Sequence, residues 1–161
     1  VMGIDTTFEV AYWKSQVAAG QMLPTEGLVF LSAADKDKSW IGEVGWELTE
    51  MGFTIAATEG TAAVLASADV ANVQILKKLR DKQSPNVLEL MKEGKVALII
   101  NTPSESRARV DEVKIRSEAI LRSVPIVTTE SGARATVGAI KYMHGRDWDV
   151  KALQDFFPKT K

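Results

Sequence analysis

The sequence predicts an α/β fold, an open parallel sheet of about five strands flanked by helices on both faces. Short apolar runs alternate with segments of helical periodicity along the chain. The run VALIIN, residues 96–101, is apolar nearly throughout, as parallel strands covered on both faces tend to be. No apolar run approaches the ~20 residues that a membrane-spanning helix needs. From the alternation of strands and helices we expect crossover connections and a ligand site at the carboxyl ends of the strands.

The N-terminal elements follow from local signals. The segment TTFE, residues 6–9, has the spacing of a capping box and predicts a helix through about Ala19. The apolar run LVFLS, residues 28–32, predicts a buried strand. Apolar residues at helical spacing over 41–48 predict a helix, with Gly52 as its C-terminal stop.

The same alternation continues to the end of the chain. Strands are predicted over 53–57, 70–76, 96–101 and 125–128, and helices over 61–67, 86–94, 111–123 and 131–143. The length of 161 residues fits one domain, so we predict a single domain over 1–161 with residues 1–20 as a lead-in helix. The opening VMGID has no signal pattern, and we expect a fragment of a longer chain.

Composition limits the classes of function. The formal net charge is −1, from 20 Lys and Arg against 21 Asp and Glu, which gives no large basic surface for nucleic acid or an anionic membrane. The chain has no cysteine and a single histidine, His144, which excludes thiolate chemistry and sites built from several histidines. We expect no nucleic-acid partner, no membrane partner and no metal site.

Polar side chains follow three of the predicted strands and are suited to an anion. The segment TEGT, residues 58–61, offers two hydroxyls, a glycine that permits close approach, and the N-terminus of the following helix. A lysine six residues after the first strand end supplies positive charge. The alternative is that these residues are caps and turns, which strand-to-helix junctions use in any case. The candidates are Ser32, Lys38, Thr58, Gly60, Thr61, Asn101, Thr102 and Ser104.

Three segments carry a resemblance to a known family. The segments FLSAADKDK, TEGT and LIINTPSE, in this order, resemble the methylglyoxal-synthase-like domain, which implies a Rossmann-like fold. The opening VMGIDTTFEVAYWKSQVAAG resembles the stretch that leads into that domain at the carboxyl end of carbamoyl-phosphate synthase large subunits. The resemblance covers nearly the whole chain.

The resemblance implies an allosteric effector-binding domain without catalytic residues of its own. Uridine and inosine monophosphate (UMP, IMP) seat their phosphate in this pocket in bacterial relatives, and ornithine activates at a neighbouring site. The phosphate seat falls on Ser32, Lys38, Thr58, Thr61, Asn101 and Thr102, and a further family lysine falls on Lys77 or Lys78. The basic segment KKLRDK, residues 77–82, is either a solvated loop or a flap over the phosphate.

The possible ornithine side departs from the family pattern. Asp111 and Thr128 match it, but Glu59 stands where bacterial members often have histidine. Urea-cycle relatives bind N-acetylglutamate in this pocket. They have a tryptophan shortly after the segment that matches TEGT, where this chain has AAVLA. We therefore rank N-acetylglutamate below a nucleotide.

Two other classes of function compete with an effector domain. Methylglyoxal synthase needs a carboxylate base and a histidine beside its substrate, but the corresponding loop NTPSESRARVD contains no histidine. A purely structural assembly module is also compatible with the sequence.

The resemblance also implies partners and a location. It implies contacts with the rest of the large subunit, a glutamine amidotransferase small subunit and further copies of the chain, in the cytoplasm. ATP, Mg or Mn and K are expected only in the synthetase body, with no cofactor in this domain.

Overall fold

The computed structural model describes residues 1–103 and 109–157, and the side chain of Arg109 lies outside the described part. Five parallel strands form one sheet in the order β3-β2-β1-β4-β5, which confirms the predicted α/β class. The strands are β1 Leu28–Ser32, β2 Thr54–Thr58, β3 Gln74–Leu76, β4 Val96–Asn101 and β5 Ile126–Val127.

Helices flank the sheet on both faces. They are α1 Phe8–Ala18, α2 Lys38–Glu50, α3 Glu59–Ser67, α4 Val87–Lys92, α5 Arg109–Leu121 and α6 Glu130–Met143. Short 3-10 helices, which the sequence did not predict, cover Asp35–Asp37, Leu79–Asp81 and Leu153–Phe156. None of the described helices combines the length and the apolar character that crossing a bilayer requires.

The core lies in two layers because successive strand residues point to opposite faces of the sheet. Val29 and Leu31 of β1 pack with α1, α2, α3 and α6 on one face. Phe30, between them, packs with α4 and α5 on the other face. Each central strand is therefore covered on both sides, which explains the apolar runs.

The strand order reverses between β1 and β4. The chain moves from β1 through β2 to β3 on one side of the sheet, and β4 and β5 lie on the other side. Ser32 at the end of β1 pairs with Asn101 at the end of β4. Since ligands of open parallel sheets bind at such a reversal, this edge is where the site is expected.

Several element boundaries differ from the prediction, among them those of α3 and β3. Helix α3 begins at Glu59, so the TEGT segment is its first turn and not a hinge before it. Strand β3 covers only Gln74–Leu76, because Asp69 and Asn72 both have φ +58, which extended strand backbone does not have.

Helix α1 also begins differently. Thr7, not Thr6, is its N-cap and accepts a hydrogen bond from the backbone N–H of Val10 at 3.4 Å. Gly52, with φ +89, follows the end of α2 as predicted.

Candidate functional site

A cavity of about 310 Å³ opens at the carboxyl ends of β1, β2 and β4. Every residue predicted for the phosphate seat that the structure describes lines this cavity, and Ser104 lies outside the described residues. The predicted residues in its wall are Ser32, Lys38, Thr58, Gly60, Thr61, Lys77, Lys78, Asn101 and Thr102.

Thr61 joins the β2–α3 junction to the loop after β1. Its hydroxyl oxygen accepts the backbone N–H of Ala33 at 3.0 Å and the hydroxyl of Thr58 at 3.3 Å. A threonine hydroxyl has two acceptor positions and one proton. With both acceptor positions used, the Thr61 proton is left to donate, whereas the Thr58 proton is already donated to Thr61.

Thr102 makes the equivalent link from the end of β4. Its hydroxyl oxygen accepts the backbone N–H of Ala34 at 3.0 Å, and its own N–H donates to the carbonyl of Ser32 at 3.0 Å. Thr61 and Thr102 are 1% and 5% exposed, so both hydroxyls are held rigidly in the cavity wall. Thr61 and Thr102 thus fix the same loop from its two sides.

The first turn of α3 faces the cavity with free donors. The side chain of its N-cap, Thr58, makes no capping hydrogen bond. The backbone N–H groups of this turn therefore lack the side-chain acceptor that a threonine cap usually supplies. Together with the helix dipole, such a turn favours a negative ligand.

Lys38 brings positive charge to the same point. A Cβ built on Gly60 would lie 3.3 Å from Lys38 Nζ, so the ammonium group lies directly against the first turn of α3. Lys38 Nζ also contacts Asp35 Oδ1 at 2.6 Å. The hydrogen bond from Lys38, followed by its charge, lowers the pKa of the Asp35 carboxyl.

Asn101 adds an unengaged polar group. Its side chain is in the cavity wall and the residue is 8% exposed. Within residues 1–103 and 109–157, no hydrogen bond to its carboxamide is found. The amide is thus available to a ligand.

The rest of the cavity wall combines apolar and charged side chains. Phe30, Val87 and Ile115 belong to the core cluster beneath α4 and α5 and reach the cavity. Asp111 and Glu112, in the first turn of α5, line the same wall. A ligand with an anionic end and a larger body would therefore meet different chemistry at its two ends.

The basic segment 77–82 is anchored at several points. The N–H of Lys77 donates to the carbonyl of Pro85 at 2.8 Å, and the N–H of Arg80 donates to Asp111 Oδ2 at 3.1 Å. Leu79 packs against the core beneath it. The segment therefore forms a fixed basic wall beside the cavity in this structure.

The structure places the other candidate residues at several locations. Glu59 is exposed and Thr128 half-buried, and neither is part of the cavity wall, whereas Asp111 is. His144 caps the C-terminal end of α6 and is exposed. Among the described residues, no group of three or more His, Asp or Glu side chains is placed to hold a metal ion.

Sequence reasoning missed part of the wall. The signal for Asp35 was present, because it stands three residues before Lys38 in a charged turn. The apolar residues of the wall could not be predicted, because the sequence does not show which helices cover each face of the sheet. The missed residues are Phe30, Ala33, Ala34, Asp35, Val87, Glu112 and Ile115, whereas Leu79 and Arg80 belong to the basic segment 77–82 named above.

Comparisons with known proteins give a consistent result. The family model described as the MGS-like domain matches residues 41–128. The chain is 42% identical over 158 residues, 98% of its length, to a carbamoyl phosphate synthase large chain of Nostoc sp., of which it covers 14%. It is 42% identical over 156 residues, 96% of its length, to the C-terminal section of the large chain of Methanopyrus kandleri, of which it covers 28%.

A plant relative extends the comparison. The chain is 40% identical over 161 residues, 99% of its length, to a chloroplastic, arginine-specific large chain of Oryza sativa subsp. japonica, of which it covers 14%. The chain thus spans 14% to 28% of the length of these relatives.

Proposed function

The chain belongs to the MGS-like domain family, and from that premise we propose that it is the effector-binding domain of a carbamoyl phosphate synthase large chain. The parent enzyme would use ATP to make carbamoyl phosphate from bicarbonate and glutamine or ammonia, for pyrimidine and arginine synthesis. The ligand proposed for this domain is a nucleoside monophosphate of the UMP or IMP type, seated by its phosphate.

One observation carries the phosphate assignment. The buried hydroxyls of Thr61 and Thr102 each accept a hydrogen bond from a backbone N–H of the same loop. Their protons therefore remain to donate, in a cavity that also holds Lys38 and the uncapped first turn of α3. Donors and positive charge thus line one cavity, and these are the groups that bind a phosphate.

The energetics favour a charged ligand over a neutral one. A hydrogen bond to a charged group contributes roughly 1.5–3 kcal/mol, against about 1 kcal/mol between neutral groups. The terminus of α3 and the ammonium of Lys38 add attraction for negative charge. The phosphate supplies most of the affinity, and the wall formed by Phe30, Val87 and Ile115 receives the larger body.

Regulation would follow from differential binding. An effector changes activity at a distant site when it binds one arrangement of the domain and the synthetase body more tightly than another. In this proposal the other partners are the rest of the large chain, an amidotransferase subunit and neighbouring copies, with ATP and metal ions confined to the synthetase body. The assembled enzyme would work in the cytoplasm or, as in the rice relative, in a plastid.

Calorimetric titration of the 161-residue chain tests the proposal. UMP, IMP, ornithine and N-acetylglutamate are titrated separately, with inorganic phosphate as the reference anion. We expect a saturable signal from a nucleotide that is lost in the double variant Thr58→Ala with Thr61→Ala. Thr54→Ala, at the exposed start of the same strand, is the matched control and should bind normally.

Two results would contradict the proposal. One is the absence of saturable binding by any of the nucleotides. The other is equal nucleotide affinity in wild type and in the double variant, provided that circular dichroism shows both to be folded. In the assembled synthase, the double variant should lose the effector response and keep basal activity.

A further inference from the structure

One cation of the cavity is paired with a carboxylate of the same cavity. Asp35 Oδ1 lies 2.6 Å from Lys38 Nζ, and both side chains line the cavity. Lys38 Nζ is also the group that lies against the first turn of α3, 3.3 Å from the position of a Cβ on Gly60. The Asp35 carboxylate therefore pairs with the Lys38 ammonium at the place where a ligand phosphate would bind this ammonium.

The two partners differ in how firmly they are held. The Lys38 side chain is 29% exposed, whereas the Asp35 side chain is 94% exposed. Within the described residues, the Asp35 carboxylate makes no hydrogen bond or salt bridge to a side chain other than Lys38, and the more distant charge of Lys78 contributes least to lowering its pKa. The carboxylate is thus free to rotate into solvent, while the ammonium stays at the end of the sheet.

The pair is an exposed one, so its own stabilising effect is small. A dianionic phosphate that also meets the hydroxyls of Thr61 and Thr102 makes more contacts with the site than one carboxylate does. A ligand phosphate and the Asp35 carboxylate cannot share Lys38 without repulsion between them. Binding of the phosphate and release of the carboxylate are therefore coupled.

We propose that Asp35 is a built-in competitor of the phosphate ligand: its carboxylate pairs with Lys38 and must leave when the phosphate binds. This inference rests on the proposed phosphate seat. The competition lowers the affinity of the site. It also ties ligand binding to the Asp35–Asp37 turn, which leads directly into α2.

Asp35→Asn tests the proposal, because the amide keeps the shape of the side chain and removes its charge. Asp37→Asn is the matched control. It removes the same charge two residues further along the chain, and the Asp37 side chain does not line the cavity. Asn is also a good N-cap residue, so the start of α2 is preserved in the control. The affinities of both variants and of wild type for UMP and inorganic phosphate are measured by calorimetry.

We expect Asp35→Asn to bind both ligands roughly threefold to fivefold more tightly than wild type, as loss of an exposed ion pair implies. Asp37→Asn should change the affinity less than twofold. An equal gain in both variants would show a general charge effect and overturn the proposal. Unchanged binding by Asp35→Asn would overturn it, because the carboxylate would then not compete with the ligand. Weaker binding would also overturn it, because Asp35 would then position Lys38 for the ligand.

The outcomes separate this inference from the function on which it rests. Saturable binding without a gain in Asp35→Asn rejects the competitor and leaves the phosphate seat standing. Absence of saturable binding in wild type and in Asp35→Asn rejects both.

Discussion

The hydroxyl oxygen of Thr61 lies 3.0 Å from the backbone nitrogen of Ala33 and accepts its N–H. This contact joins the first turn of α3 to the loop after β1, although the two residues are 28 positions apart. It fixes the loop and leaves the threonine proton for a ligand. The predictions below follow from this contact and from the charges around it.

Thr61→Val removes the hydroxyl and keeps the shape of the side chain. The Ala33 N–H loses its acceptor, so we expect the free energy of unfolding to fall by about 1 kcal/mol. The ligand phosphate loses a donor, so nucleotide affinity should fall about tenfold or more. Urea denaturation and calorimetry measure the two effects. Thr61→Ser restores the hydroxyl and should recover most of both, and equal affinity in Val and Ser variants would contradict the assignment.

Gly60→Ala separates binding from stability. The new Cβ would lie 3.3 Å from Lys38 Nζ, which is tight enough to shift the ammonium slightly and to crowd the first turn of α3, so nucleotide affinity should fall. Alanine favours a helix over glycine by roughly 0.5–1 kcal/mol, so stability should be kept or raised. Gly138→Ala in α6, where a Cβ meets nothing within 4 Å, is the control and should leave affinity unchanged. Tight binding by Gly60→Ala would place the phosphate elsewhere.

Lys77→Ala with Lys78→Ala tests the basic wall of the cavity. Both side chains line it, so their loss should weaken nucleotide binding, most strongly at low salt where charges are least screened. Lys92→Ala with Lys95→Ala removes the same charge from exposed positions outside the cavity and serves as the control. If both double variants bind as tightly as wild type, the basic segment is a solvated loop without a role in binding.

Asp5, near the start of the chain, makes the free energy of unfolding depend on pH. Hydrogen bonds from Lys14 Nζ at 2.6 Å and from the Thr6 N–H at 2.7 Å lower the pKa of its carboxyl below the usual 3.8. A lowered pKa in the folded state stabilises the protein above the unfolded value, and this stabilisation is lost as pH falls through the folded value. Asp5→Asn should therefore be less stable than wild type at pH 7, by about 1 kcal/mol.

The difference in free energy of unfolding between wild type and Asp5→Asn should shrink as pH falls from 5 to below 3.8. Guanidinium unfolding at several pH values measures it. Asp149→Asn is the control, because this exposed carboxylate has no hydrogen bond or ion pair among the residues that the structure describes. A constant difference across this range would show that the Asp5 carboxylate is not the group responsible.

The class of fold was accessible from the sequence because burial on both faces leaves a direct trace. The run Val96–Asn101 is apolar for that reason, and it forms β4 as predicted. The segment 70–76 shows the limit of this signal. Val70 is buried in the core beneath α1, α2, α3 and α6 but lies outside β3, so an apolar residue there did not mark a strand.

The polar wall of the site was predictable in part. Strand ends at one edge of a parallel sheet converge, which brought Ser32, Thr58 and Asn101 together. The individual contacts were not predictable, because they join distant positions. The bond from the Ala34 N–H to Thr102 spans 68 residues and depends on β1 lying next to β4. Local sequence contains no signal for that neighbourhood.

Backbone amide NMR of the chain during a titration with UMP tests the central claim most directly. A phosphate seated on the first turn of α3 should shift the amides of Gly60 and Thr61 most, together with those of Ala33 and Ala34, whose N–H groups contact the threonine hydroxyls. Inorganic phosphate should shift the same amides at higher concentration. Saturable shifts that leave Gly60 and Thr61 unchanged would contradict the account, because the phosphate would then bind at another place.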